Sequence, residues 1–68
     1  MADQINKPSH YTQGKIEVID FIEDQQMDFV TGNAVKYLAR YRFKGQPLED
    51  LKKARWYIER LIKREEKA

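Results

Sequence analysis

Apolar residues recur at helical spacing along most of this chain, and no stretch alternates as a half-buried strand would. Ile16, Ile19 and Ile22, flanked by Val18 and Phe21, predict a first helix over about 15–26, with Thr12 available as a cap. Val30, Ala34, Val35, Leu38 and Tyr41 share one side of a second helix, predicted over about 28–43 and capped by Asp28. Gly45 stops that helix, and Pro47 suits the first turn of the next. The third helix, over about 47–66, has the clearest stripe: Leu48, Leu51, Ala54, Ile58, Leu61 and Ile62. Its polar side alternates charges, with Glu59 and Lys63 four apart. The opening residues are polar and include Pro8. The pattern therefore predicts an all-α fold in a single domain, with an N-terminal arm over 1–14 and a compact three-helix unit over 15–68.

Size sharpens this picture. A chain of 68 residues buries only about 60% of the surface its unfolded form exposes, so a lone protomer is marginal. With no cysteine and a single histidine, disulfides and thiolate or multi-histidine metal sites are excluded as supports. Close helix packing or self-association is left, and a homo-oligomer is expected. No apolar run approaches the ~20 residues of a membrane span, and no signal-peptide core follows Met1, so a cytoplasmic protein without a membrane partner is expected. The net charge of +2 says little, but its layout says more. Residues 15–28 set Lys15 against five acids, whereas residues 29–46 hold four cations and no acid. Such asymmetry can dock two segments or subunits, or attract an anionic ligand.

The basic segment holds the candidate chemistry. Lys36, Arg40 and Lys44 lie four apart and are expected to project from one side of the second helix, opposite its apolar stripe. Asn33 falls beside Arg40, Phe29 and Phe43 share that side, and Tyr37 and Tyr41 border it. Cations interleaved with rings and an amide suit a nucleotide, charge for phosphate and rings for the base. The alternative is a solvated face partly neutralised by the acids of the first helix, but it leaves two phenylalanines exposed among charges. Trp56 lies off the stripe of the third helix, among Lys52, Lys53, Arg60 and Lys63. It should be covered by another subunit, the preferred reading, or by a ligand. His10 and Tyr11 in the arm could bind a phosphate or base edge and stack, though a loop histidine more often serves a turn. No glycine lies in a phosphate-cradling GxxxxGK[ST] loop, and Ser9 is the only serine. Glu17, Asp20, Glu23 and Asp24 have spacing that could ligate Mg²⁺, but such clusters are usually solvated helix faces, and no metal site is assigned.

Taken in order, His10-Tyr11, Gly14-Lys15-Ile16-Glu17-Val18-Ile19-Asp20, Phe29, the run Gly32 to Tyr41, Lys44-Gly45, Glu49 to Ala54 and Tyr57 resemble a small phage-encoded family. The best-known relative of that family looks like the coliphage kinase acting on deoxythymidylate and deoxyguanylate. The resemblance covers about residues 6–63. One departure is plain: where the family opens Asn-Pro-Asp-His-Tyr, this chain has Lys7-Pro8-Ser9-His10-Tyr11, without the acid. The resemblance implies nucleotide binding, with His10, Tyr11, Asn33, Lys36, Tyr37 and Arg40 as contacts and Lys44, Asp50 and Lys53 behind them.

The leading expectation is a homo-oligomeric nucleotide-binding protein of the bacterial host cytoplasm, without chemistry or cofactor. It would sequester a nucleotide-derived immune signal of the cyclic dinucleotide or cyclic ADP-ribose type. That expectation rests on analogy with phage sponges of similar size and basic character. The alternative is a deoxynucleoside monophosphate kinase using ATP and Mg²⁺ through a site shared between subunits. A nucleic-acid or protein-binding module ranks third, because +2 is modest and the cations occupy about two turns.

Overall fold

A computed structural model describes residues 14–68. It holds three helices: α1, Val18–Asp24; α2, Phe29–Arg40; and α3, Pro47–Lys67. The fold is all-α, as the periodicity predicts. The arm, with Thr12, His10 and Tyr11, lies outside the described residues. Among those described, no helix is long and apolar enough to cross a membrane.

Each helix end has a local cause. α1 starts after Glu17, whose side chain makes no capping bond. It ends in a Schellman turn: the Met27 amide donates to the Ile22 carbonyl at 3.1 Å and the Gln26 amide to that of Glu23 at 3.0 Å. Gln26 occupies the left-handed position, at φ 56°, that glycine usually fills. Asp28 caps α2 as expected, accepting from the Thr31 amide at 2.9 Å. α2 stops three residues earlier than its apolar pattern suggests, in a turn where the Phe43 amide donates to the Arg40 carbonyl at 2.9 Å. Gly45, at φ 92°, then reverses the chain. Pro47 opens α3, and Glu49 and Asp50 place acid in its first turn, where the helix dipole favours it.

Two ion pairs fix the α2–α3 hairpin as antiparallel. Arg40 at the end of α2 meets Asp50 at the start of α3, and Asp28 ahead of α2 meets Arg64 near the end of α3. Between them the helices touch through small side chains. Among the described residues the buried apolar ones are Val30, Ala34 and Ala54, and none of the large side chains is fully buried. α1 packs on the other side of α2, where Gly32 allows a close approach: a Cβ there would stand 3.1 Å from Ile22 Cγ2.

The predicted stripe of α3 enters the core only through Ala54 and, in part, Leu61. Asp50, Ala54, Tyr57 and Leu61 turn toward α2, whereas Leu48, Leu51, Ile58 and Ile62 stay exposed. The inward line is set by the Arg40–Asp50 pair and by the small Ala54, and the strip of large apolar residues lies roughly 100° around the helix from it.

Candidate functional site

The α2–α3 hairpin builds an aromatic and cationic face that neither helix makes alone. Tyr37 projects from α2 and stacks on Tyr57 of α3, with ring centroids 6.0 Å apart and planes 17° from parallel. Tyr57 meets Trp56 edge-on, at 5.0 Å and 82°. Three cations surround the Tyr37 ring: Lys36 Nζ at 4.6 Å, the Arg40 guanidinium at 4.7 Å and Lys53 Nζ at 5.5 Å from its centroid. All lie within the range of about 6 Å in which a ring quadrupole attracts a cation. Arg60 stands 5.6 Å over the Trp56 ring.

Tyr37, Lys53, Trp56 and Tyr57 line an open depression of ≈ 320 Å³. A smaller one of ≈ 90 Å³ adjoins it, between Trp56, Glu59, Arg60 and Lys63. The larger volume is at the lower end for small-molecule sites. Trp56 keeps 55% of its surface exposed, so a flat ligand could reach its ring. Among the described residues, neither Lys36 nor Lys53 pairs with a carboxylate. Arg40 does: its Nη2 lies 3.4 Å from Asp50 Oδ1, with the residues 7% and 2% exposed.

The expected row of three projecting cations on α2 is therefore corrected. Arg40 is buried between the helices because Asp50, at the start of α3, draws its guanidinium inward. Lys44 lies beyond the end of α2, in the exposed turn before Gly45, and does not continue the row. Lys36 is half-buried beside Tyr37. Asn33 uses its amide to donate to the Phe29 carbonyl at 2.9 Å. With Lys36 it borders a third depression, of ≈ 240 Å³, between α1 and α2, where Phe29 and Gly32 also lie. Tyr41 is the half-buried C-cap of α2. Phe43 carries Arg42 over its ring at 5.3 Å. His10 and Tyr11 lie outside the described residues.

Sequence singled out Trp56 but gave Tyr57 no role. The available signal was the adjacent pair Trp56-Tyr57 beside Lys53, which puts two rings and a cation on neighbouring turns of α3. Away from this face, Arg64 Nη1 donates to Asp28 Oδ2 at 2.6 Å. That bond, reinforced by the Thr31 amide, holds the Asp28 carboxyl well below the ordinary carboxylate range. Among the described residues, no group of three or more metal-ligating side chains is assembled.

These features define a small helical-hairpin protein with a cation-rimmed aromatic depression on one side. The chain belongs to the family described as a protein of unknown function, DUF3310, whose model matches residues 5–59. The match carries no link to a nucleotide kinase. No curated protein and no solved structure matches the chain.

Proposed function

We propose that this protein binds a nucleotide on the α2–α3 face and sequesters it without chemistry. One observation carries the reading: the Tyr37 ring lies among three cations, at 4.6, 4.7 and 5.5 Å, and continues through Tyr57 to an exposed Trp56. Base–aromatic stacking contributes about 1–3 kcal/mol per base, and Lys36 and Lys53, which pair with no carboxylate among the described residues, supply the attraction for phosphate. In this reading Trp56 stacks on the base, Tyr57 backs it, and Lys36 and Lys53 meet the phosphate. Arg40 takes a supporting part, holding Tyr37 in place from below. Asn33, Tyr41, Lys44, His10 and Tyr11 stay in the proposed contact set as hydrogen-bonding, cationic or closing groups. The ligand class is a nucleotide-derived host signal, and the protein acts as a homo-oligomer in the cytoplasm of a bacterial host.

The test incubates the protein with deoxynucleoside monophosphates, cyclic dinucleotides and cyclic ADP-ribose isomers, with and without Mg²⁺-ATP. Bound and free fractions are read by chromatography before and after heat release. A ligand that is depleted and returns intact supports sequestration. A diphosphate that accumulates with time replaces it with kinase activity. If no nucleotide is retained, the binding reading fails.

A further inference from the structure

The exposed strip on α3 has a regularity that the protomer leaves unused. Leu48, Leu51, Arg55, Ile58 and Ile62 follow one another at spacings of three and four, the a and d positions of a coiled-coil seam. The four apolar members are 63%, 38%, 37% and 50% exposed in chain order. They lie apart from the aromatic depression, on the other flank of the helix. Against them, among the described residues, stands a buried core of Val30, Ala34 and Ala54.

We infer that this seam is the contact between two copies of the chain, with their α3 helices packed antiparallel about a two-fold axis between residues 56 and 57. The inference fixes which surface makes the oligomer assumed above, and it holds whatever the aromatic face binds.

Charge selects the direction. A parallel, in-register pair sets Arg55 against Arg55 of the second copy, two like charges at the centre of an apolar seam. The antiparallel pair sets Leu51 opposite Ile62 and Arg55 opposite Ile58, each twice by symmetry. Arg55 then lies beside Glu59 of the other copy. On the outer flank Lys52 comes opposite Glu59, again twice, so one acid answers two cations in each half. Shifting the antiparallel register by a heptad toward the C-terminus strands Leu48 and Leu51 and brings Glu59 against Glu59. Of the registers a heptad apart, this one covers Leu51, Ile58 and Ile62, sets Leu48 against the stem of Glu65 at the end of the seam, and opposes unlike charges. The other edge of the seam adjoins Ala54 and Leu61, which face α2, so two hairpins joined this way form a four-helix arrangement.

Sedimentation equilibrium of the full chain should return a dimer, twice 8.2 kDa. Ile58→Lys should weaken association at least ~10-fold, since it sets a second cation against Arg55 of the other copy within the apolar seam. Because that variant could also unfold, register is read separately by disulfide trapping, for which the cysteine-free chain is a clean background. Leu51→Cys mixed with Ile62→Cys should cross-link rapidly under mild oxidation. Leu51→Cys alone should not, because the two copies of residue 51 stand about 16 Å apart along the antiparallel helices, beyond disulfide reach. Lys52→Glu and Glu59→Lys should each weaken the dimer several-fold, and the double swap should be tighter than Glu59→Lys alone, recovering the 52–59 pair while Arg55 still faces a cation at 59. A monomer or a trimer at equilibrium overturns the inference. So does cross-linking of Leu51→Cys alone as fast as the mixture, or a double swap no tighter than Glu59→Lys alone. None of these readings uses nucleotide affinity, so failure here is separable from failure of the ligand reading.

Discussion

Removing the Asp50 carboxylate should destabilise this protein more than any exposed substitution. Arg40 and Asp50 are 7% and 2% exposed, so Asp50→Leu removes a buried carboxylate that faces the Arg40 guanidinium. Breaking a buried pair from one side costs about 3–5 kcal/mol. At roughly 0.05–0.15 kcal/mol per residue, a domain of 68 residues has about 3–10 kcal/mol in total, so the single change removes a third of its stability or more. The bond itself is not strong. Its one contact is 3.4 Å long, and Asp50 Oδ2 is buried without a hydrogen-bond partner among the described residues. Replacing both partners, Arg40→Met with Asp50→Leu, should therefore return stability to within about 1–2 kcal/mol of the parent. Urea unfolding followed by far-ultraviolet circular dichroism and Trp56 fluorescence, at fixed protein concentration, measures all three chains. A single variant within about 1 kcal/mol of the parent, or a double variant no more stable than the single, would refute the reasoning.

Other outcomes follow from particular residues. Gln26→Gly should stabilise by about 0.5–1 kcal/mol in urea melts, because it relieves a left-handed glutamine while giving back some unfolded-state entropy; a loss of stability would count against the strain. The depressed Asp28 carboxyl contributes stability that is complete above the ordinary aspartate value of ~3.9 and is lost as pH falls toward its lower folded value. Asp28→Asn, which keeps a capping oxygen, should accordingly flatten the acid limb of a stability-versus-pH curve, and an unchanged limb would exclude the Arg64 contact as its cause. Trp56→Ala should weaken nucleotide binding about 5- to 150-fold with the helical content intact, as judged by calorimetry and circular dichroism. Lys36→Ala with Lys53→Ala should also lessen the salt dependence of that binding; equal affinity and salt slope in all variants would remove the face from consideration.

Most of the fold is written locally in the chain. Asp28 as a cap, Gly45 as a reversal and Pro47 as a helix opener act through their own backbone and nearest neighbours, so their effects could be read directly. The end of α1 was legible only from where its apolar spacing stops, because Gln26, which fills the left-handed position, carries no stop signal, and its start falls about three residues later than that spacing suggests. The harder matter was the rotation of α3. Its large apolar residues share a stripe that periodicity assigns to the core, yet the pairing of Asp50 with Arg40 turns a different line inward. That rotation is a tertiary effect between residues ten apart, decided by where the Gly45 turn places the two helices. The same effect relocated the candidate site. Cation spacing within α2 pointed to Lys36, Arg40 and Lys44, but packing removed Arg40 to the interior and brought Lys53, Trp56 and Tyr57 across from α3.

One helix thus divides its circumference among three tasks. Asp50, Ala54, Tyr57 and Leu61 hold α2. Lys53, Trp56 and Arg60 furnish the aromatic face, and Leu48, Leu51, Ile58 and Ile62 make the apolar seam. Tyr57 belongs to the first two at once, stacking on Tyr37 beneath the depression while lying half-buried against α2. Arg40 joins them from the other side, since the guanidinium that pairs with Asp50 also stands 4.7 Å from the Tyr37 ring centroid. A ligand that orders Tyr37 and Tyr57 would therefore tighten the hairpin around its buried pair. By linkage, the stability gained on adding ligand should be larger in a protein whose α3 seam is already covered, because less of the binding energy is then spent on ordering the hairpin. Thermal shifts measured with a fixed ligand below and above the association midpoint would test this coupling: equal shifts would mean that the two faces of α3 act independently.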